Sequence, residues 1–205
     1  AIREHMRAGR TAVRRMPEWE RYHGVTTKLA APIRGFDVTE RYPRRKLRTM
    51  GPVARMAVYA SERALQDAML LDDPVLTGGR TGVAYGSSFG SPEPVMAFAE
   101  LMTQGSSKLL NSTSYIQMMS HTAAVNIGLF FQLTGRVIPT SSACTSGSQA
   151  IGAAYEAISW GKADVMLAGG ADELDVTVSA VFDTLFAASV RNDAPETTPR
   201  PYDRD

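Results

Sequence analysis

The residue whose setting offers the most chemistry is Cys144, the only cysteine among 205 residues. It closes an extended run, GRVIPTSSAC (135–144), and is followed by TSGSQAIGAAYEAISWG, which reads as a helix stopped by Gly161. The thiolate is the reactive form of cysteine, and a free thiol has a pKa of about 8.5. A helix N-terminus carries roughly half a positive charge and several unpaired N–H groups. A thiol placed there ionises more readily, and the same N–H groups can receive an oxyanion. The first turns after Cys144 are small: Ser146, Gly147, Ser148, Ala150, Gly152, Ala153 and Ala154. Glycines in a helix cost about 1 kcal/mol each relative to alanine, and close wrapping by other backbone is the return for that cost. A lone cysteine is more often an inert buried one. The strand, the cysteine and the small-residue helix in succession favour a nucleophile.

Other chemistries fit less well. GSSFG (86–90) matches the G-x-S-x-G nucleophile elbow, with Ser88 as nucleophile. A hydrolase would then need an acid and a histidine further along the chain. The only later histidine is His121, and the only acids between are Glu93 and Glu100, both on the next helix, so the spacing is wrong. His121 itself reads as a core histidine satisfying a hydrogen bond. The AGG at 168–170 is not G-x-G-x-x-G and makes no dinucleotide case. One Cys and three His supply a structural zinc site poorly. A net charge of +1 gives no whole-chain drive toward nucleic acid. No apolar run approaches the ~18–20 residues of a membrane helix.

The elements that must hold Cys144 alternate. A basic helix is expected over 1–15, ended before Pro17, then loop with short elements to 51. PVARMAVYASERALQDAML (52–70) carries Val53, Met56, Ala57, Ala60, Ala64, Leu65 and Ala68 at helical spacing. A short buried strand is expected at Val83–Tyr85, a helix over 92–105, and a long uncharged helix over 115–134. The Cys144 strand and helix follow. ADVMLAGGAD (163–172) reads as another buried strand, 177–190 as a mixed helix and 191–205 as a Pro-rich loop. Strands alternating with helices give an α/β architecture. Charge is uneven: residues 1–55 hold 14 Lys and Arg against 5 Asp and Glu, while residues 56–205 are net acidic. The basic third is either a face for an acidic partner or a solvated helical surface.

SSACTSGSQAIG, ADVMLAGGAD, RNDAPETTPRPYDRD and GVAYGSSFG together resemble the β-ketoacyl-acyl-carrier-protein synthases, the elongating condensing enzymes of the thiolase-like fold. The resemblance spans essentially the whole chain and implies a layered αβαβα architecture with its N-terminal half present. It implies a two-step condensation. Cys144 takes an acyl group from a carrier protein, then malonyl on a second carrier decarboxylates and attacks it, with the Cys144 N–H as one oxyanion donor and no cofactor. The family's two histidines and lysine lie in a second half. The chain is therefore expected to be the N-terminal half of a synthase, 1–205, lacking the opening strand and the C-terminal half, and inactive in condensation by itself. Both ends look cut.

The same resemblance places Phe89 as a gate at the acyl pocket, Phe182 near pocket and nucleophile, and Met118 and Met119 at the pocket near a dimer interface. Each reads equally as core packing. Arg44, Arg45, Lys46 and Arg48, with Lys108 a weaker candidate, are expected to form a rim of the carrier-protein docking patch. GRVIP (135–139) is the strand the family pairs across a homodimer. The pathway is fatty-acid or related polyketide biosynthesis, and VFDTLF (181–186) and SGSQAIG (146–152) are similar to the aryl polyene subgroup. The alternative is a non-catalytic chain-length-factor subunit of a heterodimer, which would lack the nucleophile. The lone thiol and the lack of a signal peptide at the start suit a reducing compartment, the cytoplasm.

Overall fold

The computed structural model describes residues 2–204. In chain order the elements are α1 (Ile2–Arg7), β1 (Arg14–Arg15), β2 (Leu29–Ala30), α2 (Arg44–Leu47), α3 (Pro52–Asp67), β3 (Thr81–Gly86), α4 (Glu93–Gln104), α5 (Ser114–Met118), α6 (Thr122–Phe131), β4 (Val137–Thr140), α7 (Ser146–Ser159), β5 (Val165–Gly170) and α8 (Val176–Thr184). They fall into two compact units, Asp37–Glu173 and the two flanking segments.

The larger unit is built on a parallel sheet in the order β4-β3-β5. All six residues of the central strand β3 are buried, as a strand covered on both faces requires. Neighbouring residues in a strand point to opposite faces. Ala84 packs on Ala150 and Ala154 of α7. Val83 points the other way, toward Gly128 of α6, whose bare Cα also faces Val137 of β4. The sheet therefore lies between α7 and α6, and α3, whose Val53, Ala57 and Val58 are fully buried, packs on α6. The α/β class read from alternation holds.

Small residues bring α7 unusually close to the sheet. A Cβ at Gly86 would lie 2.5 Å from the carbonyl carbon of Ser146, and one at Gly170 would lie 3.1 Å from the Cα of Gly147. The C-terminal ends of β3 and β5 thus abut the first turn of α7.

The smaller unit joins both flanking segments. β1 and β2 form an antiparallel pair, Arg14 opposite Ala30 and Arg15 opposite Leu29. Asp183 on α8 accepts from the Thr26 N–H (2.7 Å), the Thr27 N–H (2.9 Å) and the Thr27 hydroxyl (2.8 Å). Those donors, the Thr26 N–H foremost, hold its carboxyl below the usual carboxylate range. Asn192 accepts from the Lys28 N–H at 2.8 Å and donates to the Thr26 carbonyl at 2.9 Å. The Lys28 ammonium is buried and donates to the carbonyls of Trp19 and Tyr22.

Three expected helices differ. The one anticipated over 177–190 spans only Val176–Thr184, after which Phe186 takes a left-handed φ of +53°. The helix anticipated over 1–15 ends at Arg7; Gly9 takes a left-handed φ of +62°, and Arg14–Arg15 join a ladder instead. The stretch had basic residues but no apolar stripe to hold a helix down. The helix anticipated over 115–134 is broken between α5 and α6. In an unbroken helix the Gln117 carbonyl would accept from residue 121, but here it accepts from the Ser91 N–H at 2.9 Å. A tertiary hydrogen bond replaces a helical one, with no Pro or Gly to announce it.

Candidate active site

Cys144 sits at the corner where the C-terminal edge of the parallel sheet passes into α7. It is exposed and free. The corner is made by short polar side chains that bond local backbone. Thr140 Oγ1 donates to the Ser146 carbonyl at 2.8 Å, and Thr145 Oγ1 donates to the Ser142 carbonyl at 2.8 Å. Ser146 Oγ accepts from the Ser142 N–H at 2.8 Å and donates to the Ala143 carbonyl at 2.7 Å. Ala143, just before Cys144, has a φ of +50°. A non-glycine residue there costs of order 1–3 kcal/mol and persists only where its surroundings over-determine it. The corner thus presents the thiol outward just ahead of a fourteen-residue helix.

The loop after β3 reaches this corner. Ser88 Oγ lies 3.3 Å from the Ala143 carbonyl oxygen and 3.1 Å from Asp172 Oδ2. Asp172 Oδ1 accepts from the Ser88 N–H at 2.8 Å and from Ser87 Oγ at 3.1 Å. Register explains the meeting: Gly86 of β3 pairs with Gly170 of β5, so the residues that follow run side by side. Sequence reading missed this cluster. Its members lie in two motifs it did single out, GSSFG and AGGAD, but only strand pairing brings them together.

Phe89 is 44% exposed on that loop. The next residue, Gly90, has φ +96° and backs onto the carbonyls of Met118 and Met119 so closely that no Cβ would fit. The loop from Ser88 to Gly90 therefore meets the Ala143 carbonyl at one end and the Met118 and Met119 backbone at the other. Met118 and Met119 are partly buried where α5 breaks from α6. Phe182 belongs to the smaller unit and is 41% exposed on α8. His121 heads α6 without a side-chain cap bond. The Ser88 hydroxyl meets a carboxylate and a carbonyl; among the described residues it meets no imidazole.

Arg44, Arg45 and Arg48 are exposed around α2 and, with Arg55, line an open groove of about 650 Å³. Lys46 is differently employed. Its ammonium donates to the Phe130 carbonyl at 2.9 Å and lies 4.2 Å from the centre of the Phe130 ring. Lys108 is exposed on the loop after α4. Among the described residues no helix is long and apolar enough to cross a membrane.

Known proteins resemble this chain in sequence and fold. The chain is 55% identical to a β-ketoacyl synthase of Burkholderia phymatum whose crystal structure superposes with a TM-score of 0.95, covering 98% of this chain and 50% of that one. It is 29% identical over 200 residues to 3-oxoacyl-(acyl-carrier-protein) synthase 1 of Haemophilus influenzae, covering 97% of this chain and 48% of that protein. It is 30% identical over 181 residues to 3-oxoacyl-(acyl-carrier-protein) synthase 2 of Vibrio cholerae, covering 88% and 44%. The chain spans about half the length of the curated relatives it matches. Residues 1–205 match the family described as "Beta-ketoacyl synthase, N-terminal domain". With the thiol at the head of α7 and that match running through every element, the chain belongs to the β-ketoacyl synthase family, in its N-terminal domain.

Proposed function

We propose that these residues form the nucleophile half of an enzyme that extends acyl chains in fatty-acid or related polyketide biosynthesis, in the cytoplasm. The observation that carries the reading is the exposed Cys144 thiol at the N-terminus of α7, behind a strained Ala143. The thiolate attacks the carbonyl carbon of an acyl thioester. A bond forms from Cys144 Sγ to that carbon, the bond to the carrier sulfur breaks, and the carrier leaves as a thiolate that takes up the proton Cys144 gave up. Malonyl thioester then loses carbon dioxide, its carbanion attacks the acyl carbonyl, and the Cys144 thiolate leaves. Two histidines and a lysine for the second step would come from the remaining half of the full-length protein.

The outer face of α7 supports that division: Ile151, Tyr155 and Ile158 follow helical spacing and are 59%, 72% and 46% exposed. A second half of similar length, as in the relatives, would cover them. The relatives' names specify an acyl carrier protein, and exposed Arg44, Arg45 and Arg48 offer a basic face to an acidic one, with Lys108 as an outlying charge. Phe89, Met118 and Met119 would line the acyl pocket, Phe89 as gate.

Intact-mass measurement tests the reading. Full-length protein incubated with acyl-carrier protein should gain one acyl mass, and Cys144→Ala should gain none. The rate should fall as salt rises, because rim charges steer encounter. A native protein that takes no acyl group would favour a non-catalytic partner subunit, and a salt-independent rate would remove the basic docking face.

A further inference from the structure

The carbonyl oxygen of Ala143 is unusually well served. It accepts from the Ser146 N–H at 3.1 Å, from Ser146 Oγ at 2.7 Å and from Ser88 Oγ at 3.3 Å. That carbonyl shares its peptide with the Cys144 N–H. The two ends of a peptide are conjugated. Hydrogen bonds accepted at the oxygen draw density from the nitrogen and strengthen what the N–H can donate, by about 10–30% per bond. The same bonds fix the peptide plane, and so the direction in which the Cys144 N–H points.

Ser88 is the adjustable member. Its hydroxyl has one proton and two acceptors, the Ala143 carbonyl and Asp172 Oδ2 at 3.1 Å. Asp172 also holds the loop in place through the Ser88 N–H and Ser87 Oγ, and Ser87 Oγ accepts from the Gly90 N–H at 3.1 Å. We propose that Ser88 and Asp172, together with Ser146, are positioning residues that polarise and aim the Ala143–Cys144 peptide, so that the Cys144 N–H stabilises the oxyanion formed during acyl transfer. This rests on the reading of Cys144 as the acyl-accepting nucleophile. As negative charge grows on the thioester oxygen, the Ser88 proton is drawn to the Ala143 carbonyl, and the thiol itself is not touched.

The test compares two reactions at one sulfur in the full-length protein. Acylation by an acyl coenzyme A thioester builds an oxyanion; alkylation by iodoacetamide does not. Ser88→Ala and Asp172→Ala should each slow acylation about 3–30-fold, below the 100-fold or more lost with a direct oxyanion donor. Alkylation should stay within about twofold of wild type. Asp172→Asn is the discriminating variant. Its Oδ1 can still accept from the Ser88 N–H and Ser87 Oγ, and its amide NH₂ can donate to Ser88 Oγ, committing the Ser88 proton to Ala143. It should therefore keep at least half the wild-type acylation rate. Parallel losses in both reactions would mean a merely displaced thiol and would overturn the proposal, as would unchanged acylation in Ser88→Ala. Ser88 is exposed, so that variant carries the test should Asp172→Ala fold poorly. A wild-type protein alkylated at Cys144 but never acylated there would defeat the nucleophile reading, and this proposal with it; normal wild-type acylation with parallel variant losses defeats this proposal alone.

Discussion

Phe89 is the side chain through which donor choice is most open to experiment. Its loop is held at one end by Asp172 and Ser88 and at the other by Gly90 against the Met118 and Met119 carbonyls. The ring itself is 44% exposed, so truncation removes little buried surface. Phe89→Ala should change the ratio of acylation rates between short and long acyl thioesters at least threefold. It should cost no more than about 0.5 kcal/mol, a shift of about 2 °C or less in Tm. An unaltered donor ratio, measured by competition between two thioesters, would remove the gate. Cys144 was legible as a residue because its neighbours in sequence are also its physical setting: a strand before it, a helix N-terminus after it. The strained Ala143 was not, since a left-handed alanine has no signature in sequence. Nor was the employment of Lys46, which sits in the RRKLR run yet bonds a carbonyl on α6, 84 residues away.

At the scale of elements, the corner depends on how closely β3 meets α7. Gly86 is the tightest point. A methyl group there would press on the backbone of Ser146, at 2.5 Å from both its carbonyl carbon and oxygen, and backbone cannot rotate away as a side chain would. Gly86→Ala should lose about 1–3 kcal/mol in denaturant unfolding and slow the alkylation of Cys144, because the helix that presents the thiol must shift. Full stability in that variant would show that the sheet and helix can part without cost. Elements with strong periodicity and clear stops, α3, α4 and α7, were legible, and so were β3 and β5 as short apolar runs. Elements decided by distant partners were not. Residues 1–15 lost most of their expected helix to a ladder with Leu29–Ala30, and the 115–134 helix gave up a carbonyl to Ser91.

At the scale of the whole molecule, the α/β class followed from alternation, and the layering and the family from motifs that span the chain. The division into two units did not. It depends on pairings such as Thr26 with Asp183 that no local pattern encodes. Assembly is the property to test here. β4 pairs with β3 along one side and with no other strand among the described residues. The full-length protein should sediment as a dimer at micromolar concentration, joined along that edge. A monomer would refute the pairing.

The smaller unit also dictates an order of events during synthesis. Thr26, Thr27 and Lys28 bond to residues 156 to 164 positions downstream, and Arg15 pairs with Asp193, 178 positions on. At roughly 5–20 residues per second, the opening segment leaves the ribosome about 10–30 seconds before its partners exist. The three strands of the sheet around β3 all precede Glu173, so that sheet can pair during that interval. Until Asp183 and Asn192 emerge, the basic leading segment stays unclasped, within reach of chaperones and proteases.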